Sequence, residues 1–405
     1  AQLNLKLQGA VDMMAAIRES SEALAELPSW ARAEVDRFDP GHEAVVLENI
    51  FSSGAPIAGR PVFGPRHPAW QALEDKMIID QFWDDAGVER APSSIVAVDL
   101  DVLWSSHERL DEGRGTVWVG DNRDGWHGGA KLLRWVRSRR EADDAHTFLA
   151  ARCDRARVMP FLEGIPCSIH GWVFPDEVIG FRPCEMLVLR VPGASTLSYA
   201  GAGTAWEPSG EVTRAMQEAV VRVGQHLREK VGYLGSFTMD GVATERGFLP
   251  TELNPRFGGA LGRMARSMPA LPLYLLHVAT MAGRELDYRP KTFEALVRQQ
   301  AGRHPVVRAM HVLEGRSDLE ARDQSICRSG DGWRLAEEDE DSDVVLTLGP
   351  SSSGSILFAS FRESSIRRGP SSASEVCEVF AFADALWGLN LGRLDPAREF
   401  KPHKD

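Results

Sequence analysis

Four polar side chains near the middle of the chain carry the first chemical signal. They are Asp240, and Glu252, Asn254 and Arg256 in the run TELNPR. Side chains at i, i+2 and i+4 of a strand share a face, so Glu252, Asn254 and Arg256 project together. If the strands around the ATERG turn form a hairpin, Asp240 and Glu252 can face each other. The set is then one or two carboxylates, a carboxamide oxygen and a guanidinium. Magnesium is held by hard oxygen ligands, commonly one or two carboxylates plus phosphate oxygens. A neighbouring arginine can neutralise a transferring phosphoryl group or the oxyanion of acyl transfer. The glycines after Arg256 let a substrate approach backbone N–H groups.

The surrounding pattern supplies elements to position these groups. Residues 10–37 read as helical, broken at Pro28, and residues 44–47 as a short strand. Residues 51–68 are too rich in Gly and Pro for regular structure. AWQALEDKMIIDQFWDDAGV reads as one amphipathic helix that stops at Gly87. Strands follow at 93–98 and 116–120, the latter leading into the glycine-rich DNRDGWHGGAK. KLLRWVRSRREADDAHTFLAARC reads as helix, and residues 157–164, 167–174, 177–181 and 185–191 read as strands. A long amphipathic helix spans 209–231. After the hairpin come a helix at about 269–282, short strands from about 286, and a last helix at 373–389. There is no internal repeat. The expected parts are 1–69, 70–160, 161–285 and a β-rich 286–405.

E-[LIV]-N-x-R, preceded by a strand bearing an acidic residue, resembles the metal-binding signature of ATP-grasp enzymes. The resemblance covers roughly residues 70–284. It implies an α/β fold, with nucleotide held between two lobes, and ATP and Mg2+ as cofactors. By motif, Asp240, Glu252 and Asn254 match the metal ligands, and Arg256 matches the arginine at the terminal phosphate and acyl phosphate. Lys76 is similar to the lysine that reaches the nucleotide phosphates. DGWHGGAK looks like the loop that folds over the triphosphate, with His127, Gly128, Gly129 and Lys131 as contacts and residues 121–129 as a lid. RVMPFLEG resembles the hinge beside the adenine ring, where backbone near Met159 and Phe161 reads the base and Glu163 meets the ribose.

Two places depart from the family pattern. The strand TVWVG lacks its usual lysine, and Pro166 stands where a second glutamate is usual; Lys131, Arg134 or His170 are the candidate substitutes. A closer likeness, through GFRPCEMLVLR and GFLPTELNPR, is to the pheganomycin-type peptide ligases. It implies an ADP-forming ligase that activates a carboxylate as an acyl phosphate and joins an amino or guanidino acid to a peptide N-terminus. Arg182 and Glu185 are then candidates for a substrate carboxylate and a cationic substrate group. The alternatives are a phosphotransferase acting on a hydroxyl, or a non-catalytic nucleotide-binding protein.

Composition narrows the partners. The 405 residues carry a formal charge of -12, which argues against a general nucleic-acid binder. The expected partners are a small-molecule carboxylate and an amine or peptide, with a homodimer possible through the C-terminal third. Five scattered cysteines suggest reduced thiols. No signal-peptide pattern and no apolar run of spanning length is seen, so the expected location is cytoplasmic with no membrane. Neither paired-histidine zinc spacing nor a nucleophile elbow is present.

Overall fold

A computed structural model describes residues 13–397 apart from 48–54, 64–66, 122, 124–127, 129, 267, 288, 317, 331 and 352–353. Helices α1 (Met13–Ala25) and α2 (Ser29–Phe38) open the chain, with Pro28 between them, and β1 (Val46–Leu47) pairs with β2 (Val62–Phe63). The segment read as one helix from Trp70 is in fact three pieces. These are α3 (Pro68–Gln71), a 3-10 turn (Ala72–Glu74) and α4 (Ile79–Asp85). The break is an Asx turn, in which the Met77 N–H donates to Asp75 Oδ1 at 2.9 Å. A short Asp side chain competes with the helix for a backbone donor in this way.

A four-stranded antiparallel sheet follows, built from β3 (Ser94–Ala97), β4 (Thr116–Gly120), β5 (Leu133–Val136) and β6 (Arg155–Pro160) in the order β3-β6-β4-β5. Two helices cover its outer face, α5 (Leu100–Leu110) and α6 (Arg139–Ala150). Helix α5 was not read from the sequence, although Asp99 caps its first turn. Leu133–Val136, read as helix, is a strand. Its Trp135 and Val136 favour a pleated surface, and β4 offers it a pairing edge. Alternation sends Trp118, Val136 and Val158 to the helices and Val117, Val119, Trp135 and Met159 to the opposite face. Burial of a large apolar side chain such as Leu149 stabilises the fold by about 1.5–3 kcal/mol.

The large sheet takes twelve strands: β7 (Ile165–Val173), β8 (Val178–Gly180), β9 (Cys184–Arg190), β10 (Leu197–Gly203), β11 (Gly235–Thr244), β12 (Gly247–Asn254), β13 (Val307–Glu314), β14 (Arg322–Ser329), β15 (Gly332–Leu335), β16 (Val344–Ser351), β17 (Gly354–Phe361) and β18 (Asp395–Pro396). Its order is β12-β11-β7-β9-β10-β13-β17-β16-β14-β15, with β8 beside β7 and β18 beside β9. The C-terminal strands thus continue the same sheet, because β13 satisfies the otherwise open backbone edge of β10. One face carries α7 (Gly210–Val231) and α11 (Ala373–Trp387). Helix α7 runs as its apolar stripe predicts, capped by Ser209 and stopped at left-handed Gly232. The other face carries α8 (Gly259–Arg266), α9 (Leu273–Met281) and α10 (Pro290–Arg303). Of these only α9 was anticipated. Beyond those helices the same face meets the small sheet at Leu249.

Candidate active site

The hairpin is present, and its register brings the two carboxylates together. Strand β11 pairs with β12 so that Asp240 lies directly opposite Glu252. The register shifts between Asp240 and Gly241, leaving Thr251 as an extra residue on β12. This bulge puts Leu249, Glu252 and Asn254 on one face despite their uneven spacing. Leu249 closes against the small sheet, while Glu252 and Asn254 stand beside Asp240.

Every hydrogen bond in the cluster runs between charged or strongly polar groups. Asn254 Nδ2 donates to Asp240 Oδ2 at 2.8 Å, and the Ser168 hydroxyl donates to Asp240 Oδ1. Arg256 donates to Asn254 Oδ1 at 2.6 Å and, through Nε, to Glu74 Oε1 at 3.1 Å. Lys76 Nζ stands 3.4 Å from Glu252 Oε1. The Asx turn that interrupts the N-terminal helix therefore delivers both Glu74 and Lys76 to the hairpin. Glu74 and Ser168 escaped sequence reasoning. A short apolar-flanked helix gave no sign of its break, and Ser168 becomes relevant only through the pairing of β7 with β11 at Asp240.

Burial pushes the Asp240 carboxyl up to about 7, and the neighbouring Glu252 adds to the rise. Like charges opposite each other in an antiparallel pair are destabilising unless a cation compensates. Among the described residues no group of three or more His, Cys, Asp or Glu side chains is placed to hold a metal alone. Two carboxylates and a carboxamide nevertheless meet the protein's share of a magnesium site, in which phosphate and water oxygens complete the coordination. The donors fit such an ion.

Facing the hairpin, the inner face of the small sheet is apolar. Val117, Val119, Trp135, Met159 and Phe161 form one cluster with Leu249. Trp135 and Phe161 stack at 4.2 Å between ring centroids and 19° between planes. They line a pocket with Arg114, Arg137 and Glu163. Glu163 Oε1 is buried there without a hydrogen-bond partner. Buried polar atoms are nearly always satisfied, so this carboxylate oxygen is placed for a donor from outside the chain. At the other end of the inner face, Arg157 holds Asp80 through Nε at 3.0 Å and through a second nitrogen at 2.5 Å, and it reaches the Thr251 carbonyl at 3.3 Å. That guanidinium ties the small sheet to α4 and to the bulge beside Glu252.

Other expected residues lie elsewhere. His127 and Gly129, with most of the loop expected to act as a lid, fall outside the described residues. Gly128 accepts a long bond from the Lys131 N–H, and Lys131 is exposed. Arg134 faces outward, its guanidinium over the Phe148 ring on α6, because it pairs with the outward Trp118. His170 is sealed between Thr238 and Cys184, and burial drops its imidazole to about 4. Arg182 pairs with Glu207 at 3.1 Å.

Glu185 is not brought to the cluster either. Ser168 pairs with both Asp240 and Cys184, so Cys184 shares their face and Glu185, the next residue, points through the sheet. There it accepts from the Ser371 hydroxyl and the Ser372 N–H at the start of α11.

No family model matches the chain, and no curated protein does. Solved structures give partial likenesses. One is phosphoribosylamine–glycine ligase from Thermotoga maritima, at 12% identity and TM-score 0.49, covering 83% of this chain and 79% of that one. Another is the biotin carboxylase domain of the Hydrogenobacter thermophilus 2-oxoglutarate carboxylase, in complex with MgADP, ADP and bicarbonate. It is 16% identical at TM-score 0.47 and covers 72% of this chain, which spans 62% of that domain's length. A third is the D-alanine–D-alanine ligase from Coxiella burnetii, at 14% identity and TM-score 0.39, covering 52% and 57%.

Proposed function

We propose that this chain is an ATP-grasp carboxylate–amine ligase that uses ATP and Mg2+ and releases ADP. The supporting observation is the convergence of Asp240, Glu252, Asn254, Arg256 and Lys76 beside an apolar sheet face with an unpartnered glutamate at its far end. Such an arrangement suits a purine base and ribose at Phe161 and Glu163, with a triphosphate running toward the hairpin.

In this reading Asp240, Glu252 and Asn254 hold magnesium, which when bound neutralises phosphate charge and orients the γ-phosphate. Lys76, now on Glu252, turns to the phosphate oxygens. A substrate carboxylate displaces ADP from the γ-phosphate, giving an acyl phosphate. An amine then attacks the acyl carbon, phosphate leaves, and the amine proton passes to solvent or phosphate. Arg256 stabilises charge at both steps, held in aim by Glu74 and Asn254. Buried Glu74 is a positioning residue, acting through Arg256.

The narrower reading, an amino or guanidino acid joined to a peptide N-terminus, rests on motif likeness in residues 180–259. The residue proposed to meet a guanidinium, Glu185, is on the wrong face for it. A screen of amino acids, guanidino acids and short peptides for MgATP-dependent ADP release, read by mass spectrometry, tests the class. An amide product supports it. A phosphorylated hydroxyl would favour a phosphotransferase instead, and failure to bind MgADP would sink both.

A further inference from the structure

Beyond the polar cluster, the same face of the large sheet carries a second group of charges. The pairings Met186 with Ala202 and Ala202 with Arg308 put Arg308 on the face of Cys184 and Asp240. Helix α8 lies on that face and brings Arg263 and Arg266. Arg263 donates to the carbonyls of Ala202, at 3.3 Å, and of Arg308, at 2.8 Å. The Arg308 guanidinium lies 4.2 Å over the Phe358 ring, and its Nε is buried without a partner.

These three arginines differ from the others near the site. Arg182 has Glu207, Arg256 has Glu74, and Arg157 has Asp80. Among the described residues no ion pair joins Arg263, Arg266 or Arg308 to a carboxylate. Partial burial depresses the Arg308 pKa, and the guanidinium groups of Arg266 and Arg263 add to the fall. Like charges gathered without a counter-ion cost stability, and a bound oxyanion removes that cost. Tyr199, on the intervening β10, pairs with Val188 and so shares the face of Cys184 and Arg308, between the two groups. Four inter-strand steps separate β11 from β13, about 19 Å at the usual sheet spacing.

We propose that Arg263, Arg266 and Arg308 form an anion-binding site that anchors a non-reacting carboxylate or phosphate of the substrate, away from its reacting end. The proposal rests on the ligase reading for what happens at that reacting end.

The test uses the full chain with saturating MgADP and two probes, inorganic phosphate and succinate, titrated by calorimetry. Wild type should bind at least one of them saturably. Phosphate alone identifies a phosphate-bearing substrate, succinate alone a carboxylate-bearing one, and both a site that reads charge. The Arg266→Gln, Arg308→Gln variant keeps the side-chain stem over Phe358 and should lose about ten-fold or more in anion affinity, with MgADP affinity unchanged and Tm equal to or above that of wild type. Should that variant fold poorly, Arg266→Gln alone changes an exposed residue and should still weaken binding several-fold. Unchanged anion affinity in the variants, or no saturable binding to wild type, overturns the site. MgADP that fails to bind while an anion still does removes the ligase reading and leaves the anion site standing.

Discussion

Asp240 and Glu185 are two carboxyls of one sheet, and burial pushes each up to about 7. Their surroundings differ. Asp240 has Glu252 across the ladder, with Asn254, Arg256 and Lys76 beyond it, on the face that meets the small sheet. Glu185, 1% exposed, is closed off by two serines at the foot of α11, and no ion pair reaches it among the described residues. A raised pKa therefore identifies burial, while a second acid and an aimed arginine identify a working site.

The largest effect expected from this contrast is at the hairpin. Glu252→Gln or Asp240→Asn should cut MgATP-dependent ADP release by about 10³-fold, while Tm holds or rises because the like-charge pair is gone. Turnover within a few-fold of wild type would equate Asp240 with Glu185 and end the comparison.

Next is the arginine. Arg256→Ala removes a counter-charge of buried Glu74 and should cost about 2–4 kcal/mol in urea unfolding as well as activity. Adding Glu74→Gln should restore most of the stability but none of the turnover. Restored turnover would show that Arg256 acts structurally.

Glu185 should register only in stability. Its folded pKa lies above the ordinary 4.5, so the folded state holds a proton that the unfolded chain has released. The contribution is full below about pH 4.5 and fades as pH rises through 7. Glu185→Gln, which mimics the protonated form, should match wild type near pH 4.5. At pH 8 it should exceed wild type by on the order of 2 kcal/mol. ADP release should be unaffected, and a loss comparable to that of Glu252→Gln would return Glu185 to the site.

The smallest effect belongs to the far pocket. Glu163→Gln should weaken MgADP binding about three- to ten-fold by calorimetry, with no change in the affinity for inorganic pyrophosphate. Equal weakening of both would move Glu163 away from the sugar end.

Much of this site was legible in the chain itself because it is local. Asp240, Glu252, Asn254 and Arg256 belong to one hairpin, and alternation along a strand places the last three without reference to the rest of the molecule. Helix α7 was legible for the same reason, since a helix repeat lies within a few turns. Lys76 entered by likeness of motif, and its 3.4 Å approach to Glu252 is a contact across 176 residues.

What tertiary structure alone decided depends on pairings between distant strands. A one-residue step along β9 separates the face of Asp240 from that of Glu185, and no local pattern reveals which face meets the small sheet. The Asx turn after Glu74, the bulge at Thr251, the continuation of the sheet through β13 and the gathering of Arg263, Arg266 and Arg308 are of the same kind. Sequence sets which side chains alternate; the partner strands set what each face looks at, because backbone hydrogen bonding fixes register only when both edges are present.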